Sequence, residues 1–513
     1  MSILLSDLLS GTNLNLNLPI ENPEITGICN NSTRVKPGNI FVAIKGYKFD
    51  GHDFIDMAIE NGASAIVAEQ KLSASVPVIQ VNDGRIALAE LSKVWYQHPT
   101  DKMKMIGVTA SNGKTTTAFM IDHILSSYFY TTGLIGTVVV RDGKSAVSAN
   151  LTTPDSQELY QWLGRMRDNN CSHVTMEVSS AGQEQHRVHG ISYDIATFNN
   201  LSREHIDLHG SFEKYFAEKS KLIRNLPASS VAILNADVPL ILGLREQTAA
   251  SSISYSLKDN PADIQIKDID LSTGAANFKY VIPRNVSGDH PLPSCNLDVS
   301  LKVLGLHNVY NASVAITVAK LCGVPDEEIL AALADFTGVE RRFQLIYDRE
   351  FKIIDDHFAN AGNIDITLET LGLMKYRKLQ LLIAIRGNRG SIVNGENAET
   401  VVRWIDKLPL AQMITTDSVE FVDELDTVSD EERTTFHGIL DEAGIEYTHI
   451  PKLTDAIKAV LTSVQPEDVV LLGGCQGMDH AAHVIIPMVA ERHADQEQED
   501  VLKILKDRVA GSS

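Results

Sequence analysis

The sequence has 513 residues, of which 44% are hydrophobic and 22% are charged. That length predicts about three or four domains, and that balance is typical of globular proteins, which excludes disordered, collagenous and disulfide-scaffold chains. The 45 basic and 66 acidic residues give a net charge of −21. A nucleic-acid partner is disfavoured because its recognition needs a basic surface, whereas small anionic ligands stay open because backbone N–H groups can bind them locally.

Cysteine usage and the amino-terminal segment indicate where the protein works. The five cysteines are far apart and form no CxxC pair, so we expect neither a disulfide framework nor a zinc site, but a reducing, cytoplasmic location. The start, MSILLSDLLSG, has no basic region and predicts a short helix rather than a signal peptide. Because no apolar run approaches about 20 residues, we expect no membrane partner.

The first part of the chain, residues 1–98, predicts a small α/β domain. Short strands are expected at Asn39–Ile44 and Ala65–Ala68, separated by a turn rich in Asp, Gly and His and by a helix. The stretch Gln97–Asp101 (QHPTD) is a plausible linker, which sets the first boundary.

The second part, residues 99–340, predicts a larger domain in which strands and helices alternate. Such alternation favours a largely parallel, doubly wound sheet. An antiparallel insertion is expected over residues 255–303, followed by helices over about 308–335. The predicted strands are Met103–Thr109, His173–Val178, Ile195–Phe198 and Val231–Leu234, with a helix at Thr117–Leu125.

The third part, residues 341–513, predicts another alternating α/β domain. Its strands are expected at Lys352–Asp355, Leu379–Ala384, Met413–Thr416 and Asp468–Leu472. The tail after Ala490 is charged and amphipathic, which predicts a solvated surface helix.

The strongest local motif is GVTASNGKTTT, Gly107–Thr117, between a predicted strand and a predicted helix. A phosphate-binding loop occupies that position: Gly113 would let the backbone approach phosphates, Lys114 would reach them as a point charge, and Thr115 would ligate Mg²⁺. The strict GxxxxGK[ST] pattern fails, because its first glycine falls on Val108. A fortuitous NGKTT turn is therefore the alternative interpretation.

Two further segments carry polar groups that suit a metal–nucleotide site. Glu177 ends a buried strand, where a carboxylate is costly unless it is paired or binds metal; a plain strand-end carboxylate is the alternative. The segment Asn200–Leu222 places His205 on a loop and Lys219 in the following helix. Oxygen-rich ligation around a nucleotide indicates Mg²⁺, and zinc is a poor fit without Cys or an HExxH pattern.

Taken together, these motifs resemble the Mur ligases, the ATP-dependent amide-bond-forming enzymes of peptidoglycan precursor synthesis, and within them the enzymes that add the third residue of the peptide. The resemblance rests on NSTRVKPGNIFVAIKGYKFDGHDF, LTTPDSQEL, MEVSSAGQEQHRVHG, FNNLSREHIDLHGSFEKYFAEKSKLI and GLHNVYNASVAI. It implies three α/β domains: one for the uridine end of the substrate, a central ATPase domain with a doubly wound, mostly parallel P-loop sheet, and a Rossmann-like amino-acid-binding domain.

The resemblance also implies roles for residues of the ATP site. Lys114, Arg342, His205 and Lys219 would be catalytic, with Lys219 carbamylated and two Mg²⁺ ions bound. The implied metal ligands are Thr115, Glu177, His205 and Lys219. The implied ATP contacts are Asn112, Gly113, Lys114, Thr115, Thr116, Asn308, Asn311, Arg342 and Asp356, with Asp355 as the alternative to Asp356.

The resemblance further implies an acceptor site for a UDP-N-acetylmuramoyl peptide. Its residues would be Thr33, Thr152, Thr153, Ser179, Gln185 and Arg187. We expect the working enzyme to be a monomer with small-molecule substrates.

The third domain departs most from the family. The Asp-Tyr-Ala-His-Thr-Pro segment reads DDHFANAGN, the GGDRD segment reads RGNRG, the DNPR-type segment reads TTDSVEFVDE, and GKGHE reads GGCQGMD. Ala110 and Ala181 also replace a loop glycine and a histidine of the central domain. We take Arg386, Arg389 and Asp479 as candidates for the amino-acid pocket, with solvated loop charges as the alternative.

Three hypotheses remain open. The chain adds an amino acid to UDP-N-acetylmuramoyl-L-alanyl-D-glutamate, or it is a related ligase recruited to join an amino acid to another carboxylate, or it is a non-catalytic nucleotide-binding regulator. The intact set of expected metal ligands argues against the third, and the altered third domain supports the second.

Overall fold

A computed structural model describes residues 2–14, 21–46, 49–202, 210–258, 260–272, 274–506, 508 and 510–511. Three sheets of four or more strands organise these residues, with strands drawn from residues 27–80, 104–304 and 344–473, and a two-stranded sheet lies at the start. We call the segments around them the first, central and third units. Within the described residues no helix is both long enough and apolar enough to cross a membrane.

The first unit is a parallel four-stranded sheet in the order β3-β4-β5-β6, beside a short antiparallel pair, β1–β2. Its strands are β1 (Ile3–Leu4), β2 (Glu24–Ile25), β3 (Gly27–Cys29), β4 (Asn39–Val42), β5 (Ala65–Ala68) and β6 (Val78–Gln80). Its helices are α1 (Leu5–Ser10), α2 (Ile55–Glu60) and α3 (Gly84–Trp95). Asp83 caps α3 by accepting hydrogen bonds from the Arg85 and Ile86 amides.

The central unit is an eleven-stranded sheet in the order β10-β9-β8-β11-β7-β12-β13-β14-β15-β16-β17. Its strands are β7 (Lys104–Thr109), β8 (Thr132–Ile135), β9 (Val139–Arg141), β10 (Ala146–Ser148), β11 (His173–Glu177), β12 (Ile195–Phe198), β13 (Val231–Asn235), β14 (Ser251–Ser256), β15 (Ile264–Asp270), β16 (Ala275–Ile282) and β17 (Cys295–Leu304). Its helices are α4 (Lys114–Ser127), α5 (Ser156–Asp168), α6 (Ser180–Glu184), α7 (Phe212–Arg224), α8 (Pro239–Leu242), α9 (Leu306–Leu321) and α10 (Asp326–Asp335).

The seven strands from β8 to β15 in this order run parallel, and the outer strands at both ends run antiparallel. The apolar residues of β7 and β11 are buried, as expected for strands covered on both faces by helices. The segment 255–303 was expected as an insertion, but it continues the same sheet. Its strand β15 pairs parallel with β14, and β16 and β17 then extend the sheet edge.

The third unit is a six-stranded sheet in the order β18-β19-β23-β20-β21-β22, parallel except for the β18–β19 pair. Its strands are β18 (Gln344–Asp348), β19 (Lys352–Asp356), β20 (Leu379–Ala384), β21 (Leu410–Thr416), β22 (Thr448–His449) and β23 (Val469–Gly473). Its helices are α11 (Ala361–Leu373), α12 (Gly390–Ile405), α13 (Asp430–Glu442), α14 (Leu453–Ser463), α15 (Ala481–Ala490) and α16 (Asp495–Leu502).

The tail differs from its prediction as a solvated surface helix. Among the described residues after Ala490, only Asp495–Leu502 form an α-helix. Val501 is buried against the third unit, and Arg508 is buried at 6% exposure. Its guanidinium donates to the carboxylate of Asp355, which is fully buried. Buried ion pairs supply a partner for a charge that would otherwise be too costly to bury, and the sequence pattern of the tail does not reveal that partner.

Glu432 holds together the loop that follows β20. Its carboxylate accepts hydrogen bonds from the backbone N–H groups of Arg389 and Gly390, both at 2.7 Å, and from the N–H of Ser429 at 2.9 Å. Burial would raise its pKa, but these bonds outweigh burial and lower the pKa to about 2. The carboxylate therefore stabilises the start of α12 and of α13 in its charged form.

We expect Glu432→Gln to destabilise the third unit near neutral pH. Because the folded pKa lies below the ordinary value of 4.5, the charged carboxylate stabilises the fold above that value and loses its effect as the pH falls towards 2. Urea unfolding followed by tryptophan fluorescence, at about pH 7 and about pH 3, should show a smaller difference from the wild type at the lower pH. The exposed Glu442→Gln is the matched control, and an equal destabilisation at both pH values would contradict the assignment.

Candidate active site

A cavity of about 420 Å³ lies between the central and third units. Residues 111–116 line one side, next to the carboxyl ends of β7 and β11, and residues 356–367 of the third unit line the other side. Ligands of open α/β sheets bind in the crevice outside the carboxyl ends of the strands, so the position of this cavity is that of a binding site.

The loop between β7 and α4 has the backbone of a phosphate-binding loop. Gly113 precedes the first residue of α4 with φ +80°, in the left-handed region. A Cβ added there would lie 2.6 Å from Oδ1 of Asn311, so only glycine fits. The amine of Lys114 turns back over the loop and donates to the carbonyl oxygens of Ala110 at 3.0 Å and Ser111 at 2.9 Å. The helix begins three residues earlier than predicted, at Lys114.

Glu177 stands beside this loop because β11 pairs with β7, which brings Glu177 opposite Val108. Glu177 is fully buried. Its carboxylate accepts three hydrogen bonds, one from the Thr115 hydroxyl at 3.0 Å and two from Thr137, whose N–H donates at 2.8 Å and whose hydroxyl donates at 3.1 Å. A buried carboxylate next to a threonine hydroxyl at a phosphate-type loop is an oxygen donor set that suits Mg²⁺.

Lys219 on α7 reaches the same loop from the other side. It is 2% exposed, its amine donates to the carbonyl oxygen of Ala110 at 2.6 Å, and it lies 4.9 Å from the centre of the Tyr215 ring. His205 lies outside the described residues, as do Asp207 and His209. Within the described part of the chain, no three His, Cys, Asp or Glu side chains form a group that could hold a metal ion.

The two asparagines of GLHNVYN have different positions. Asn311 lines the cavity and accepts a hydrogen bond from the Thr117 hydroxyl at 3.1 Å. Asn308 accepts from the Asn311 amide at 2.9 Å and donates to the Leu304 carbonyl at 2.8 Å, so it acts on the cavity by holding Asn311.

His307, from the same motif, lines the cavity although it was not among the predicted site residues. Burial lowers its pKa to about 4, so the ring is neutral near pH 7, and its buried Nδ1 has no hydrogen-bond partner. A neutral imidazole with an unused ring nitrogen suits an uncharged polar group of a ligand. The feature of the sequence that could have predicted His307 as a site residue is its position between a glycine and two asparagines at the start of a helix.

Arg341 and Arg342 face different surroundings. Arg342 lines the cavity, and its charge acts on Asp356 and Glu177. Arg341 is turned into the third unit, where its guanidinium contacts Asp355, Asp479 and the Cys475 carbonyl. Arg342, which the sequence analysis places at the ATP site, is thus the arginine of the pair that lies in the cavity.

The two adjacent aspartates at the end of β19 also face different surroundings, as the two arginines do. Asp356 lines the cavity and accepts from the Phe343 N–H at 2.7 Å and from the Thr367 hydroxyl. Burial raises its pKa. Asp355 lies on the opposite side, between Arg341 and Arg508. Of the two alternatives, only Asp356 is placed to meet a ligand in this cavity.

Asn363 connects the third unit directly to the phosphate loop, and no sequence motif predicted this contact. Its amide donates to Oδ1 of Asn112, across the cavity that both residues line. The backbone of Asn112 is in turn held by Asn200, whose side chain accepts from its N–H at 2.9 Å and donates to its carbonyl at 2.7 Å.

The structure brings most of the expected acceptor residues into one network beside Glu177. Thr153 donates to the Glu177 carbonyl at 2.9 Å and contacts Ser179, and Thr152 contacts Thr137 at the cavity. Arg187 donates to the Thr153 carbonyl and to the Gln185 side chain, both at 2.8 Å. Thr33 lies in the first unit, where its hydroxyl donates to Asn31 at 2.8 Å.

The three candidates for the amino-acid pocket do not line the cavity. Asp479 forms an ion pair with Arg341, Arg386 donates to the Ala359 carbonyl, and Arg389 lies 4.0 Å from Asp426. Each of these charges has a partner within the third unit.

Comparison with known domain families identifies all three units. The chain matches the Mur ligase family catalytic domain at residues 24–96, the Mur ligase middle domain at residues 108–319, and the Mur ligase glutamate ligase domain at residues 341–476.

Relatives that align over most of the chain support the same family. The chain is 34% identical over 467 residues to a UDP-N-acetylmuramoyl-L-alanyl-D-glutamate–2,6-diaminopimelate ligase from Bacillus velezensis, covering 89% of this chain and 91% of the relative. It is also 34% identical over 460 residues to the enzyme of that name from Geobacillus kaustophilus, covering 88% and 90%.

Solved structures share the fold. A structure of a UDP-N-acetylmuramoyl-L-alanyl-D-glutamate–2,6-diaminopimelate ligase superposes with a TM-score of 0.66 at 24% identity, covering 96% of this chain and 100% of that one. A MurF ligase from Thermotoga maritima in complex with ADP gives 0.60 at 21% identity, covering 91% and 98%. The predicted three-domain α/β fold is confirmed, and the chain belongs to the Mur ligase family of ATP-dependent amino-acid ligases.

Proposed function

We propose that this ligase adds an amino acid to UDP-N-acetylmuramoyl-L-alanyl-D-glutamate in peptidoglycan precursor synthesis. The observation that carries the proposal is one cavity in which Lys114, Thr115 and Glu177 of the central unit face Arg342 and Asp356 of the third unit. Relatives covering about nine-tenths of the chain are named for that acceptor. The three units are assigned to residues 1–98, 99–340 and 341–513.

The reaction has two steps. A carboxylate oxygen of the acceptor attacks the γ-phosphate of ATP, the bond to ADP breaks, and an acyl phosphate forms. The amine of the amino acid then attacks the acyl carbon and releases phosphate, leaving an amide. Water would hydrolyse the acyl phosphate, so the chain has to exclude it. Asn363 bridges the third unit to the phosphate loop and would help to keep the cavity closed.

The residues of the cavity divide the work of binding ATP. Lys114 and Arg342 supply positive charge for the phosphates, and the N–H groups at the start of α4 favour the same anion. The proposed ATP contacts are Asn112, Gly113, Lys114, Thr115, Thr116, Asn311, Arg342 and Asp356. Asn308 contributes by orienting Asn311, and His307 is added as a contact for an uncharged part of the nucleotide.

Thr115 and Glu177 would hold one Mg²⁺ ion, and His205 with Lys219 would hold a second. The hydroxyl–carboxylate pair of Thr115 and Glu177 fits such an ion by its donor chemistry. When bound, Mg²⁺ neutralises charge on the transferring phosphoryl group. An ammonium is not a metal ligand, so the role of Lys219 requires its carbamylation. Its burial beside the Ala110 carbonyl is compatible with that, because a carbamate retains an N–H that can donate.

The acceptor would run from the first unit to the cavity. Thr33 would lie near its uridine diphosphate end, and Thr152, Ser179, Gln185 and Arg187 near its peptide end. Thr153 is fully buried and donates to the Glu177 carbonyl, so it would act by fixing that strand end rather than by direct contact.

A second candidate is a related ligase that uses a different amine or another carboxylate acceptor. The acidic side chains of the segments that depart from the family already have partners within the chain: Asp417 pairs with Arg433, Asp479 pairs with Arg341, and Glu420 accepts from backbone N–H groups at the start of α14. This favours an amine other than diaminopimelate. Arg386 and Arg389 stay as proposed contacts for the amine substrate.

We further propose that the protein works in the cytoplasm as a monomer.

The function is tested by phosphate release and amide formation from ATP and UDP-N-acetylmuramoyl-L-alanyl-D-glutamate with a panel of amines that includes L-lysine, meso-diaminopimelate and small diamines. We expect turnover with one amine and none for Lys114→Ala, which serves as the inactive control. If the folded wild type binds ATP but turns over with no amine, the proposed acceptor is wrong and the second candidate gains support.

Gly113→Ala should weaken ATP binding about tenfold or more. The left-handed backbone costs a residue with a Cβ about 1–2 kcal/mol, and the new methyl would meet Asn311. Gly323→Ala is the matched control, because Gly323 has φ +82° with nothing within 4 Å of an added Cβ and lies outside the cavity. Calorimetric titration with ATP measures both variants. Equal affinity of Gly113→Ala and wild type would remove Gly113 from the phosphate site.

Carbamylation of Lys219 predicts a dependence on carbon dioxide. Depleting bicarbonate should reduce wild-type turnover, and adding it back should restore the rate, because the carbamate forms reversibly. Lys219→Ala should be inactive under both conditions. A wild type whose rate is indifferent to bicarbonate, with no mass increase on Lys219, would count against the modification.

A further inference from the structure

Residues 341–343 connect the central unit to the third unit, and we call them the hinge. Their backbone is strained on both sides of Arg342. Arg341 has φ +58° and Phe343 has φ +50°, both in the left-handed region that residues with a Cβ rarely adopt. Such conformations persist only where surrounding contacts over-determine them. The contacts that hold these two residues therefore decide where Arg342 points.

The two neighbours of Arg342 are fixed by the two aspartates that end β19. Arg341 contacts Asp355 through its guanidinium, and the N–H of Phe343 donates to Asp356 at 2.7 Å. Asp355 is fully buried and Asp356 nearly so. A shift of β19 at this point would move the hinge backbone and the cavity aspartate together.

Residues 508 and 510 of the tail contact this assembly on both sides. The Arg508 guanidinium donates to Asp355 and, at 2.9 Å, to the side-chain oxygen of Gln344. The N–H of Ala510 donates to the carboxylate of Glu340 at 2.8 Å. The tail thus contacts Glu340, directly before the hinge, and Gln344, directly after it. It also contacts Asp355, which pairs with Arg341.

The tail is itself attached to the body of the third unit. The Ala510 carbonyl contacts Nε2 of His483, on α15, at 3.1 Å. Because the planar guanidinium of Arg508 bonds two partners at once, it fixes their relative position in a way that a point charge cannot. These contacts form no part of the ATP cavity, whose lining includes neither Arg508 nor Ala510.

We propose that Arg508 is a positioning residue that braces the hinge, so that Arg342 and Asp356 keep their orientation towards the nucleotide. Arg508 acts through Asp355, Gln344 and Arg341 and touches no substrate. This inference rests on the proposed ATP site, but not on the identity of the acceptor or of the amine.

The test measures ATP affinity by calorimetry without acceptor or amine, so it is independent of whether the proposed ligation is correct. We expect Arg508→Ala to weaken ATP binding about tenfold, and Arg508→Lys to have an intermediate effect because a lysine can pair with Asp355 but not bridge to Gln344. Millimolar guanidinium should restore most of the affinity of Arg508→Ala, whereas equal concentrations of sodium chloride or urea should not. Thermal unfolding is recorded for each variant.

Arg349→Ala is the matched control, since Arg349 pairs with Glu497 of α16 at 3.6 Å and also ties the tail to the sheet, but away from the hinge. It should bind ATP like the wild type. Wild-type affinity in a folded Arg508→Ala, or a loss that guanidinium does not restore, would overturn the proposal. If Arg508→Ala does not fold, Arg508→Lys and Gln344→Ala decide: wild-type affinity in both overturns it, and weakened binding in both with unchanged thermal stability supports it.

Discussion

The parallel pairing of β7 with β11 is the constraint on which the rest of the site depends. It sets Glu177 opposite Val108, at the point where β7 turns into the phosphate loop. One register therefore brings a buried carboxylate beside Thr115 without any long loop. A slip of one residue in this register would turn Glu177 to the other face of the sheet and separate its carboxylate from the Thr115 hydroxyl.

The third unit completes the site in two places, at the phosphate loop and at the hinge. Asn363 contacts the phosphate loop directly, while Arg342 and Asp356 enter the cavity from the hinge and from β19. The positions of these three residues in the cavity therefore depend on where the third unit sits. The acyl phosphate proposed above would need such a dependence, because a cavity that closes only when its parts are aligned keeps water from the intermediate.

Motifs that are local in sequence could be predicted, and pairings between distant segments could not. The strand–loop–helix context of Asn112–Thr116 and the strand end at Glu177 follow from buried runs and a glycine. The choice between Asp355 and Asp356 depends on which face of β19 meets the cavity, and two adjacent aspartates give no periodicity to decide it. Arg508 and Asn363 depend on partners 153 and 251 residues away. The tail was misassigned because charge in an amphipathic segment usually means solvent.

The antiparallel strands at the ends of the central sheet also affect how it behaves towards other chains. An open edge of a wide sheet is a template on which another strand can add. Here β10 has three residues, and α10 packs along β17. Growth by strand addition is thus limited at the β10 end, because a three-residue edge strand offers few unpaired backbone groups, so the topology of the sheet itself protects this end against edge-to-edge aggregation.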